Sequence, residues 1–84
     1  MAEKKTPTAL IVDKGKSDLD SFRLMLEKEG LSVFTSENSE SALSVINTFN
    51  INIALIDLNL GKENGMRVGE VIMKRSPETK VILF

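Results

Sequence analysis

Three runs of four apolar residues constrain this chain most: Ala9-Leu-Ile-Val12, Ile53-Ala-Leu-Ile56 and Val81-Ile-Leu-Phe84. They are continuous rather than alternating, the pattern of strands covered on both faces in a parallel sheet. A fourth stretch, Ser32-Val-Phe-Thr-Ser36, is more polar and predicts an edge strand. Helical patterns fill the intervals. Leu19, Phe22, Met25 and Leu26 recur at helical spacing, with Ser17 as N-cap, Asp20 three residues on, and Gly30 as the stop. Met25, between Leu24 and Leu26, reads as adaptable core filling. Ala42, Leu43, Ile46 and Phe49 share a face of a second helix, capped by Asn38 or Ser39. A third helix runs from about Gly65 to Lys74 with Met66, Val68, Gly69 and Ile72 inward, and Ser76-Pro77 ends it.

The order β-α-β-α-β-α-β predicts an α/β fold on a parallel sheet. Right-handed crossovers restrict the topologies, and the compact doubly wound arrangement begins 2-1-3-4. At 84 residues the chain is one small domain at most.

Composition removes several kinds of chemistry. There is no Cys, hence no disulfide, thiolate zinc site or Cys nucleophile, and no His, hence no imidazole base or Ser-His-Asp triad. Lys+Arg 11 against Asp+Glu 12 gives a net charge of −1, so there is no electrostatic case for nucleic acid or an anionic membrane. Four-residue apolar runs fall well short of the roughly 20 that a transmembrane helix needs. A cytoplasmic location is expected. Phosphate-binding glycine loops are missing: no Gly-x-Gly-x-x-Gly follows a strand, and no Gly-x-x-x-x-Gly-Lys-Ser/Thr occurs.

Ligands of an open α/β sheet bind beyond the carboxyl ends of its strands, where strand order reverses. In a 2-1-3-4 sheet that point lies between strands one and three. Asp13 directly follows the first strand and Asp57 closes the third, so two carboxylates are expected to converge there. Either alone reads equally well as a solvated residue ending a strand; the pairing at a switch point is what points to chemistry. Glu63 and Asn64 lie in the following loop, where ligand contact and ordinary loop polarity explain them equally.

These residues resemble the receiver domain of two-component response regulators. The resemblance rests on Asp13 after Leu-Ile-Val, Asp57-Leu-Asn-Leu followed by Gly65, the segments 26–33 and 36–43, and Arg75-Ser-Pro-Glu-Thr-Lys-Val-Ile-Leu83. It runs from Thr8 onward and implies a flavodoxin-like fold. It also implies a signalling module rather than an enzyme. In that family the aspartate ending the third strand accepts a phosphoryl group from a histidine kinase or phosphotransfer protein, and Asp57 matches it. Asn59 matches the position whose backbone carbonyl helps hold Mg²⁺, and Asp13 the first of two acidic metal-binding residues. A divalent ion between carboxylates and phosphoryl oxygens offsets the repulsion of one anion approaching another.

Two departures qualify the resemblance. The family usually carries a second acidic residue, a direct metal ligand, where this chain has Lys14. An ammonium offers three donors and no acceptor, so it does not ligate Mg²⁺. Lys14 either stands over Asp13 and Asp57 as a substitute charge or points to solvent. The family pattern also continues past the fourth strand to a hydroxyl residue and a Lys that contact the phosphoryl group. Residues 1–84 are therefore expected to be a partial receiver with impaired phosphorylation. The alternative is a degenerate receiver acting by protein contacts alone. The fourth strand would present an uncovered apolar edge, so self-association is also expected.

Overall fold

The computed structural model describes residues 6–84. Its elements are β1 (Thr8–Val12), α1 (Lys16–Lys28), β2 (Ser32–Ser36), α2 (Ser39–Thr48), β3 (Ile53–Ile56), β4 (Asn59–Leu60), β5 (Glu63–Asn64), α3 (Gly65–Arg75) and β6 (Lys80–Leu83). Four strands form one parallel sheet in the order β2-β1-β3-β6, the expected 2-1-3-4 arrangement, and β4 and β5 form a separate antiparallel pair.

Side chains alternate across a strand, and the packing follows that period. Leu10 and Val12 of β1, with Ala54 and Ile56 of β3, meet Ala42 and Ile46 of α2 and Val68 and Ile72 of α3 in one core. Ala9 and Ile11, also fully buried, belong to the opposite face, which α1 covers with Leu19. β1 is thus buried on both faces from Ala9 to Val12. β3 is fully buried on the α2–α3 face through Ala54 and Ile56 and half-buried on the other through Ile53 and Leu55, so both strands are unbroken apolar runs. Phe34 of β2 stacks on Phe49 at the end of α2 (ring centroids 4.5 Å apart), and Phe22 of α1 meets Phe84 edge-on at 5.5 Å.

The helix ends follow local chemistry, with corrections. Asn38 caps α2 by accepting the Ser41 N–H at 2.9 Å. Gly30, at φ +90°, lets the chain leave α1 with the Leu31 N–H returning to the Leu26 carbonyl at 3.1 Å. Ser17 is not the cap of α1: that helix begins at Lys16, its N-cap is Gly15, and no side chain caps it. Two methionines assigned inward face out, Met25 at 55% and Met66 at 52% exposure. On α1, Leu19 is buried while Phe22 and Leu26 are half-buried, so the covered stripe passes to one side of Met25. Met66, in the first turn of α3, precedes the point where that helix settles on the sheet through Val68, Gly69 and Ile72.

Candidate functional site

The carboxyl ends of β1 and β3 hold the two aspartates side by side. Val12 pairs with Ile56, and the Asp57 N–H donates to the Val12 carbonyl at 2.9 Å, so Asp13 and Asp57 are the next step on the same two adjacent strands. The geometry agrees with the expected convergence at the switch point.

Each carboxylate is fixed by a backbone donor two residues ahead. Asp13 Oδ1 accepts the Gly15 N–H at 2.9 Å, and Asp57 Oδ1 accepts the Asn59 N–H at 2.9 Å. Such Asx turns hold a carboxylate in one orientation and leave its second oxygen for other partners. Asp13 is only 4% exposed, yet no buried side-chain oxygen among the described residues is left without a partner. Its Oδ2, which takes no protein hydrogen bond, therefore opens to the rim. Asp57 is half-buried.

The segment after Asp57 is a short hairpin that the apolar pattern does not reveal. Asn59 pairs with Asn64 and Leu60 with Glu63, around a two-residue turn with Gly61 at φ +76°. Asn59 is exposed, and its side-chain oxygen accepts the Gly61 N–H at 3.1 Å, so its side chain serves the turn. Gly65 then begins α3 against the backbone of Asp57 and Leu58, with the Gly65 N–H donating to the Leu58 carbonyl at 3.0 Å.

The neighbouring loop residues have structural partners. Glu63 accepts the Ser39 N–H at 2.9 Å and the Ser39 hydroxyl, capping α2 from the hairpin. Those two bonds hold its carboxyl below the ordinary glutamate range, against a smaller upward push from desolvation. Asn64 caps α3 by accepting the Met66 N–H at 2.9 Å. Lys14 is exposed, and its stem lies along the hairpin turn: its Cδ is 3.8 Å from where a Cβ on Gly61 would stand. Asp18, which the sequence reading did not single out, leans back from the first turn of α1. Its Oδ2 and Asp13 Oδ1 stand 3.2 and 3.4 Å from where a Cβ on Gly15 would be.

Two oriented carboxylates with a free oxygen each, beside the Asn59 backbone, suit a hydrated Mg²⁺. That ion commonly takes one or two protein carboxylates and keeps several waters. No group of three or more acidic, His or Cys side chains suited to holding a metal forms among the described residues. None of the helices described is long and apolar enough to cross a membrane.

The comparisons agree with this geometry. Residues 9–84 match the response regulator receiver domain family. The alginate biosynthesis transcriptional regulatory protein AlgB of Pseudomonas aeruginosa is 30% identical over 95% of this chain and 18% of its own length. The heme response regulator HssR of Staphylococcus saprophyticus is 30% identical over 92% of this chain and 34% of its own. The chain thus spans between about a fifth and a third of these relatives. A CheY-like receiver domain protein of Methanospirillum hungatei superposes with a TM-score of 0.90 at 32% identity, covering 94% of this chain and 63% of that one. TrrA of Thermotoga maritima, solved in complex with Mg(2+)-BeF, gives a TM-score of 0.85 at 27% identity over 92% of this chain and 67% of its own. A parallel sheet in this order, an aspartate at the end of its third strand and a family match over nearly the whole chain lead to one conclusion: the chain belongs to the response regulator receiver domain family.

Proposed function

We propose that this chain is a phosphoacceptor receiver that takes a phosphoryl group on Asp57 from a phosphorylated histidine of a kinase or phosphotransfer protein. The observation that carries this reading is the placement of Asp57 beside Asp13 at the rim of adjacent strands, with one oxygen of each carboxylate tied down. The donor bond to Asp57 Oδ1 leaves Oδ2 as the nucleophile. In the transfer a bond forms between this oxygen and phosphorus. The bond from phosphorus to the donor breaks, and its electron pair leaves with the donor. The Asn59 N–H fixes the carboxylate plane so that attack needs little reorganisation. A magnesium ion, when bound, would supply charge neutralisation between the carboxylates and the phosphoryl oxygens, with Asp13, Asp57 and the Asn59 carbonyl as its protein ligands. TrrA, solved in complex with Mg(2+)-BeF, supports a place for such an ion in a receiver of this fold.

Lys14 favours a second reading, a receiver that no longer takes phosphate and acts by protein contacts. Incubation with a small acyl phosphate and Mg²⁺, followed by intact mass, separates the two. A phosphoryl adduct that disappears in Asp57→Ala supports phosphotransfer; its absence in a version extended to a complete receiver domain favours the second reading.

A further inference from the structure

Asp13 and Asp57 give the rim a negative charge, and Asp18 leans back to the Gly15 backbone beside Asp13. Glu63 is occupied elsewhere, by Ser39. The cation that follows Asp13 in the chain is Lys14, and its stem reaches the hairpin turn that follows Asp57. It crosses from the β1–α1 loop to the β4–β5 turn, in van der Waals range of the space above Gly61, two residues beyond Asn59. Among the described residues the ion pair formed is Arg23 with Asp20, on α1, so the Lys14 ammonium is not consumed by a carboxylate partner. Its charge is therefore a standing contribution to the potential over the rim.

We infer that Lys14 sets the cation affinity of this crevice: its side chain, which reaches the hairpin turn beside Gly61, carries a positive charge that weakens divalent metal binding to the Asp13–Asp57 pair. This inference deepens the phosphoacceptor reading and rests on the same site, but its physical content is independent of phosphotransfer. A dication placed between two carboxylates gains from both, and a positive charge carried beside the same opening opposes it through high-dielectric solvent. Exchanging Lys14 for an acidic residue changes the local charge by two units and adds an oxygen ligand. Removing the charge alone changes it by one unit and adds no ligand. The opposition is electrostatic and solvent-exposed, so added salt must shrink it.

The test uses Mg²⁺ alone, titrated into the protein and into Lys14→Asp, Lys14→Met and Lys14→Arg. Binding is read from the backbone amide shifts of Asp13, Asp57 and Asn59, with no phosphodonor present. Lys14 is exposed and its side chain makes no hydrogen bond within the described residues, so the variants keep the fold, and their amide spectra report this directly. Mg²⁺ is expected to bind Lys14→Asp about tenfold or more tightly than the native chain. Lys14→Met should lie between them and Lys14→Arg should match the native chain. The gap between native and Lys14→Met should close as salt is raised to about 1 M. If Lys14→Met and Lys14→Asp bind Mg²⁺ no more tightly than the native protein, or if salt leaves the gap unchanged, the inference is wrong. A protein that takes no phosphoryl group, yet shows this ordering, removes the phosphoacceptor reading and leaves the role of Lys14 standing.

Discussion

Gly65 and Asp57 touch backbone to backbone. A Cβ on Gly65 would overlap the Asp57 carbonyl oxygen and stand 2.8 Å from both the Asp57 carbonyl carbon and Leu58 Cα. The first residue of α3 is therefore seated on the peptide that carries the candidate nucleophile, and the requirement is for space rather than for an unusual φ. In Gly65→Ala the obstacle is main chain and does not swing aside as a side chain would, so either the helix or the Asp57 peptide shifts. Overpacking of this kind costs about 1–3 kcal/mol, and the upper part of that range is expected here. Chemical denaturation measures the loss. The amide shifts of Asp57 and Asn59 should move with it, whereas Gly30→Ala, whose Cβ meets nothing within 4 Å but whose φ is +90°, should cost stability and leave those shifts in place.

The Ser39–Glu63 bonds give a pH dependence with a definite sign. Glu63 has its pKa lowered by the Ser39 hydroxyl and N–H. A carboxyl whose folded pKa lies below its unfolded value contributes stability at pH values above the unfolded pKa. That contribution fades as pH falls through the acidic range toward the folded value. In Ser39→Ala the hydroxyl donor is gone and the Glu63 titration, followed by carboxyl carbon shifts, should move upward. The acid limb of the stability curve should flatten correspondingly. A Glu63 titration unchanged in Ser39→Ala would show that the hydroxyl does not hold the carboxylate.

Much of this fold is legible in the sequence because β1, buried on both faces, and β3, buried on one and half-buried on the other, are unbroken apolar runs. Once their order is known, the rim positions of Asp13 and Asp57 follow from topology alone. Met25 was misplaced because Leu24, Met25 and Leu26 are adjacent, and period 3.6 does not decide which of three neighbours meets the sheet. Leu24 and Met25 both face solvent and Leu26 is half-buried. The β4–β5 hairpin went unseen because two-residue strands have no periodicity; its one signal was the glycine in the turn, Gly61. The Glu63–Ser39 bonds join residues 24 apart, and no local pattern announces a polar contact made through tertiary packing.

α3 offers a contrast between its two faces. Ile72 is fully buried in the core with Leu10, Ile56 and Val68, while its neighbour Met73 is exposed. Ile72→Ala removes buried methylene groups and leaves a cavity, at a cost of about 2–5 kcal/mol. Met73→Ala should stay within about 0.5 kcal/mol, as surface substitutions generally do. Urea midpoints of the two variants decide the matter, and similar losses would mean that the helix is rotated from the orientation described here.

In the 84-residue chain β6 is the outer strand of the sheet beyond β3. The Lys80 and Phe84 N–H groups donate inward to Asn52 and Ile56. By the alternation of a parallel ladder, Val81 and Leu83 turn their N–H groups outward. Ile82 and Phe84 add apolar side chains at 39% and 43% exposure on the same strand end. Unpaired donors beside apolar side chains form a template for a second strand. We expect this chain to self-associate through β6, with sedimentation coefficients rising with concentration across the micromolar range. Ile82→Lys places a charge on the exposed strand without removing an inward hydrogen bond, and it should restore a concentration-independent monomer. A native chain that sediments as one compact monomer throughout that range would refute the edge-pairing expectation. Association that persists unchanged in Ile82→Lys would move the contact away from β6.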